Sequence, residues 1–168
     1  MKKYFLFLVL CFVMLSASAQ DMQKFGYFSF DTVLKSMPEY TIAQRNMESL
    51  RGKYAAETKR VEDEFNKKYE EFLEGQREFE PTILQKRQAE LQEMMEKNVA
   101  FKANAERLLK QAEADAYGPV REKLRTTVRR IGMERGYMFV LNTDNDAVPY
   151  INSMMGEDIN TLLLDAVK

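Results

Sequence analysis

Asn142, Asp144 and Asp146 stand at alternate positions, the spacing with which a calcium loop begins. Such a loop needs Gly at its sixth position and a bidentate Glu at its twelfth, where this chain has Ala147 and Ser153. A hairpin turn explains the cluster better than a cation site. Residue types rule out much other chemistry. The chain has no His, so it lacks the imidazole of a nucleophile triad, of a His-ligated zinc site and of a neutral-pH switch. Neither a Gly-rich phosphate loop nor a Ser in a nucleophile elbow occurs. Carboxylates are plentiful, but they lie beside Lys and Arg at helical spacing, as solvated ion pairs do. The chain therefore reads as a non-enzyme with no cofactor and no metal. The remaining candidates are apolar. Met94, Phe101 and Leu108 repeat every seven residues, and Leu73 and Phe79 lie off the main apolar stripe of their own segment.

Those residues sit on segments that follow an address. Met1-Lys2-Lys3 is positive, Tyr4 to Leu15 is a 12-residue apolar run, and Ala17-x-Ala19 fits a signal-peptidase site. The run is short for a hydrocarbon core of roughly 30 Å, so residues 1–19 read as a signal peptide cleaved after Ala19. Its removal takes away Cys11, the only Cys, and with it any disulfide or thiolate. Removing Lys2 and Lys3 from the 25 basic residues leaves 23 against 26 acidic ones. An acidic, exported chain is not expected to bind nucleic acid.

Residues 41–118 hold few helix breakers and are rich in Ala, Glu, Lys, Arg, Gln, Leu and Met. Met47, Leu50, Tyr54, Thr58, Val61, Phe65, Tyr69 and Phe72 recur at steps of three and four that repeat every 11 residues, which predicts nearly straight winding. Thr41 to Phe79 would span roughly 58 Å as a helix. A second seam runs through Leu91, Met95, Asn98, Phe101 or Lys102, Ala105, Leu109, Ala112 and Ala116. Pro81 separates the two, and Thr82 with Gln85 fits a capping box opening the return helix. Pro38 and Pro119 are equidistant from position 78.5, and Gly118-Pro119 is expected to interrupt the returning helix. The prediction is an antiparallel two-helix arm over 41–118 with its tip near 78–82. A single continuous helix in a parallel dimer competes, but Pro81 inside it would cost ~3 kcal/mol.

Both chain ends should form one small mixed body, residues 20–40 and 119–168. Lys24 to Phe30 reads as an aromatic strand, and Asp31 as the cap of a short helix ending before Pro38. Val120, Leu124, Val128 and Ile131 form a helical stripe that ends near Gly136. Tyr137 to Leu141 and Ala147 to Ile151 read as strands, the second at an edge because of Pro149. Asp158 can cap a last helix carrying Ile159, Leu162, Leu163, Ala166 and Val167. A body this small, without disulfide or metal, gains by pairing its strand edges with other copies.

Phe25-Gly26-Tyr27-Phe28, Met37-Pro38-Glu39-Tyr40 with Ala43-Gln44, Pro119-Val120-x-x-Lys123-Leu124, Gly136 to Leu141 and Asp158-Ile159-Asn160 follow one another in order. In this ordered set the chain resembles the Skp/OmpH family of periplasmic chaperones. The resemblance implies a mainly α fold with a small β body, and a long helical hairpin projecting from an oligomerising base. It also implies a homotrimer whose arms surround a cavity, where unfolded outer-membrane proteins are held without ATP, transiently near the membrane surface. The charge pattern departs from the strongly basic family members. Residues 62–80 hold eight acidic groups against Lys67, Lys68 and Arg77, while 119–135 hold six basic groups against Glu122 and Glu134. No basic motif matches a lipopolysaccharide site.

A holdase must present apolar surface that its own packing leaves open. Two packed helices bury one stripe each, so a second stripe has no partner within the arm. Met94, Phe101 and Leu108, with Leu73 and Phe79, are therefore the expected client-binding residues, although Phe101 also fits the seam. The bland account is a wide core stripe. A structural spacer or adaptor of the envelope is the alternative function. Gly52, Gly75 and Gly118-Pro119 are expected soft points or kinks.

Overall fold

A computed structural model describes residues 24–168. The expected leader, residues 1–19 with cleavage after Ala19, lies outside the described residues. The order of elements is β1 (Phe25–Phe28), α1 (Phe30–Ser36), α2 (Pro38–Gly75), α3 (Pro81–Arg135), β2 (Val140–Asn142), β3 (Gly156–Asp158) and α4 (Asn160–Ala166). The described residues divide into two compact units, one of residues 24–34 and 124–168, the other Lys35–Lys123. The fold is mainly α, with a small sheet and a long antiparallel helical pair, as the sequence predicts. No helix among the described residues is long and apolar enough to cross a membrane.

In the first unit β1 is the middle strand of three, in the order β2-β1-β3, and both neighbours run parallel to it. Gly26 pairs with Val140 and Glu157, and Tyr27 with Leu141 and Asp158. Phe28, Val33, Leu34, Leu124, Ile131, Ile159, Leu163 and Val167 form the buried apolar set. Ile159, Leu163 and Val167 recur every four residues, so one stripe of the last helix is buried. Gly136 ends α3 with a φ of 68°, a left-handed value that glycine adopts without steric cost.

Several local expectations are corrected. Residues 147–151 form no strand; the third strand is Gly156–Asp158, and all pairing is parallel, so 142–146 is not a hairpin turn. Pro149 lacks the N–H that a ladder needs. Asn142 and Asp144 instead serve the start of α1. Asn142 Oδ1 accepts from the Phe30 amide at 3.1 Å, and Asp144 Oδ2 accepts from the Asp31 amide at 2.9 Å. Asp31 therefore lies inside the first turn. The capping oxygen is Ser29 Oγ, 3.1 Å from the Thr32 amide, which fits the N-cap preference for Ser. Asp158 does turn its carboxylate onto the Asn160 amide, at 2.9 Å.

The second unit holds α2 and the arm portion of α3. Pro38 and Pro81 each occupy the first position of a helix, where the missing N–H costs nothing. Met37, before Pro38, is extended, with ψ 134°. α3 begins at Pro81 itself, with Glu80 O accepting from the Leu84 amide at 2.9 Å, so a box opened by Thr82 is not what starts it. Pro119 lies inside α3 and does not end it. Its ring removes one backbone donor, but Val120 and Leu124 beyond it are buried, at 5% and 0% exposure, and that packing carries the helix through.

Contacts between α2 and α3 are antiparallel. Tyr40 meets Tyr117 at 5.2 Å between ring centroids, and Tyr54 meets Phe101 at 6.3 Å. Arg51 pairs with Glu113 at 2.7 Å, and Asn98 Nδ2 donates to the Val61 carbonyl at 3.1 Å. Glu62 pairs with Lys102, and Glu39 with Lys123. The Lys123 hydrogen bond holds the Glu39 carboxyl below the usual carboxylate range. Met47, Leu50, Tyr54, Thr58, Val61, Phe65 and Phe72 of the expected first seam are buried or half-buried. Tyr69 is 45% exposed.

Candidate functional site

An apolar hollow of the helical pair lies where α2 gives way to α3. α2 stops at Gly75 because the chain turns: Gln76 Nε2 donates to the Leu73 carbonyl at 3.3 Å, and the Glu78 amide to the Gly75 carbonyl at 2.9 Å. The turn folds Phe79 back onto Gly75, where a Cβ would collide with the Phe79 ring. A side chain at this position would need the Phe79 ring to shift. Phe79 then meets Phe72 at 6.4 Å between centroids, with the rings tilted by 42°.

Phe72 and Phe79, with Leu91 and Met94 from the first turns of α3, line a hollow of about 260 Å³. Its rim is six charged residues joined in pairs: Lys68 with Glu71 at 3.4 Å, Arg87 with Glu90 at 3.0 Å, and Lys97 with Glu93 at 2.6 Å. The Lys97 hydrogen bond holds the Glu93 carboxyl below the usual carboxylate range. Residues 62–80 are acidic by composition, yet the rim carries three charges of each sign, because it takes only Lys68 and Glu71 from that stretch and a balanced four, Arg87, Glu90, Glu93 and Lys97, from α3. Among the described residues no cluster of His, Cys, Asp and Glu could hold a metal. What this hollow can do is bury apolar surface within a ring of neutralised charge.

Of the five expected binding residues, the hollow brings together two, Phe79 and Met94. Leu73 is 44% exposed and does not line it. Phe101 is half-buried against Tyr54, and Leu108 is half-buried too. Phe101 thus lies on the seam, one of the two roles its sequence position allows, and Met94 faces the α2 rings. Met95, counted in the seam, is instead 51% exposed, and Val99 one turn on is 64% exposed. Met94 and Met95 differ by about 100° around the helix, and their sequence spacing fits either assignment. The Phe72 and Phe79 rings opposite make Met94 the inward one.

Sequence reasoning placed Gly75 only as a soft point and Leu91 only in the seam, and it did not bring the rim pairs to a common hollow. The signal for the first was present as a Gly four residues before a Phe at the end of a helical pattern. Other hollows also lie on the helical pair. One, of about 310 Å³, is lined by Phe65, Met95, Asn98 and Val99 among others. Another, of about 520 Å³, is polar and lies beside Tyr40, Arg51, Glu113 and Tyr117. Arg121 stands 5.9 Å above the Tyr117 ring, and burial pushes the Tyr117 hydroxyl up from its ordinary value.

A comparison with curated proteins finds no match. A family model described as outer membrane protein (OmpH-like) matches residues 24–166, which includes both units and the hollow. The match covers nearly all of the chain, and the protein accordingly belongs to the OmpH-like family, a family of periplasmic chaperones for outer-membrane proteins.

Proposed function

We propose that the protein is an ATP-independent holdase that keeps unfolded outer-membrane proteins from aggregating in the periplasm. Residues 1–19 direct export and are removed after Ala19. Residues 20–40 and 119–168 form an oligomerising base, and 41–118 form the arm, with its tip near 78–82. Three copies assemble, and the client lies in the cavity between their arms. Binding draws on Phe79 and Met94 in the hollow, and on Leu73, Phe101 and Leu108 along the arm.

The observation that carries this reading is an apolar hollow ringed by mutually neutralised charges on a long helical pair. Apolar lining gives a nonspecific grip, and a charged rim keeps the empty protein soluble. Methionine in the lining adapts to different side chains. No nucleotide is needed, because burial itself supplies the affinity.

The test is light scattering from a urea-unfolded barrel protein diluted into buffer with the leaderless protein. Aggregation is expected to be suppressed at stoichiometric amounts, and Met94→Asp with Leu108→Asp is expected to weaken that suppression. A wild-type protein that leaves aggregation unchanged would reject the holdase and favour an envelope spacer. Mass from light scattering checks the trimer separately.

A further inference from the structure

Resting on the holdase reading, we infer that the hollow beside Gly75 takes one aromatic side chain of an extended client segment, with Gly75 as the residue that sets this preference. An engineered cavity of about 150 Å³ is known to hold benzene, and the hollow offers about 260 Å³. Its walls are suited to a ring. Phe72 and Phe79, tilted at 42° to one another, both line it, and aromatic pairs prefer such non-parallel or offset arrangements. The Met94 thioether makes favourable contacts with ring edges.

The rim argues for a neutral occupant. Its three cations are each paired with a carboxylate, so neither an acidic nor a basic side chain gains a net attraction. Segments destined to cross an outer membrane carry aromatic residues at both ends of strands that alternate apolar and polar. In such a segment one ring enters the hollow while its polar neighbours meet the charged rim.

Gly75 makes the arrangement possible. A methyl group there would occupy the position of the Phe79 ring and drive it off its seat, removing one wall. Gly75 is the last residue of α2, so Ala is compatible with the helix and leaves the fold intact.

The chain contains no Trp, so the fluorescence of a tryptophan-bearing probe reports the probe alone. The probe is a ten-residue peptide of alternating apolar and polar residues with one central Trp, and its competitor is the same peptide with Leu in that place. The leaderless protein is expected to bind the Trp peptide about threefold to tenfold more tightly than the Leu peptide, the scale of one aromatic pair. Gly75→Ala and Phe79→Ala should each erase that preference, and Phe79→Tyr should keep it. Equal affinity of the wild type for both peptides overturns the inference, as does a preference that survives in both Ala variants. Aggregation suppression measured on the same preparations separates the two readings. If suppression holds and the preference is absent, the aromatic assignment fails by itself. If suppression is absent, the holdase reading fails with it.

Discussion

The unit containing the sheet and the unit containing the helical pair are held by different means. In the first, Val33, Leu124, Ile159 and Leu163 are 0% exposed and Val167 is 1% exposed. In the second, no residue from 48 to 104 is fully buried. A stripe of half-buried side chains and a set of surface ion pairs hold that stretch instead. Exposed ion pairs contribute about 0–1 kcal/mol each, and half-buried apolar groups give up only part of their hydration. One unit is thus a small core, and the other is a seam. A seam opens locally at low cost, which suits a surface that must fit many shapes.

The contrast breaks first at the core. Leu124→Ala is expected to lower the unfolding free energy by about 2–5 kcal/mol, measured by urea denaturation. Phe65→Ala, at a half-buried ring stacked 6.0 Å from Tyr69, should cost only about 1–2 kcal/mol. An equal or larger loss at Phe65 would abolish the distinction between core and seam.

pH sharpens it next. The Tyr137 hydroxyl is buried beside the Glu157 carboxylate. Burial, and then the Glu157 carboxylate, push its pKa up to about 12 from an ordinary 10.0. The folded state therefore keeps a proton that the unfolded chain gives up. That contribution is complete below the ordinary value and disappears as pH rises toward the folded one. The sheet unit should soften on the alkaline side, and Tyr137→Phe should remove the loss, read as melting temperatures at about pH 9 and about pH 11. At the root of the helical pair the sign is opposite. Glu39 is held below the usual carboxylate range by Lys123, so its contribution is lost as pH falls.

The smallest effect is expected on the exposed face of the pair. Arg60 contacts Glu57 at 2.7 Å and Glu64 at 3.0 Å, yet its side chain is 59% exposed. Arg60→Ala should change stability by less than about 1 kcal/mol, and by less again in high salt. A larger loss would mean that charge networks, rather than the apolar stripe, hold the arm.

The same contrast explains what the sequence made legible. The long helices declared themselves, because composition, the recurrence from Met47 to Phe72 and the positions of Pro38 and Pro81 are all local signals. The sheet was half legible. Phe25 to Phe28 reads as a strand by itself, whereas Gly156–Asp158 has no apolar alternation and becomes a strand only by pairing with a segment far away in the chain. Pro119 misled because local propensity says stop while Val120 and Leu124 are anchored by burial. At the hollow, Met94 was visible through its seven-residue repeat and Phe79 as an apolar residue off its segment's stripe. Which of Met94 and Met95 faces inward depends on the opposite helix, and the Gly75–Phe79 contact depends on how the turn closes. Neither is a property of a local pattern.

The middle strand of the sheet has a consequence for timing. β1 ends at Phe28, and its two neighbours are not complete until Asn142 and Asp158. A chain synthesised at about 5–20 residues per second holds β1 unpaired for on the order of ten seconds. Until Asp158 has been made, the protein can wind its helices but cannot complete its sheet, so up to that point it stays threadable through a narrow channel.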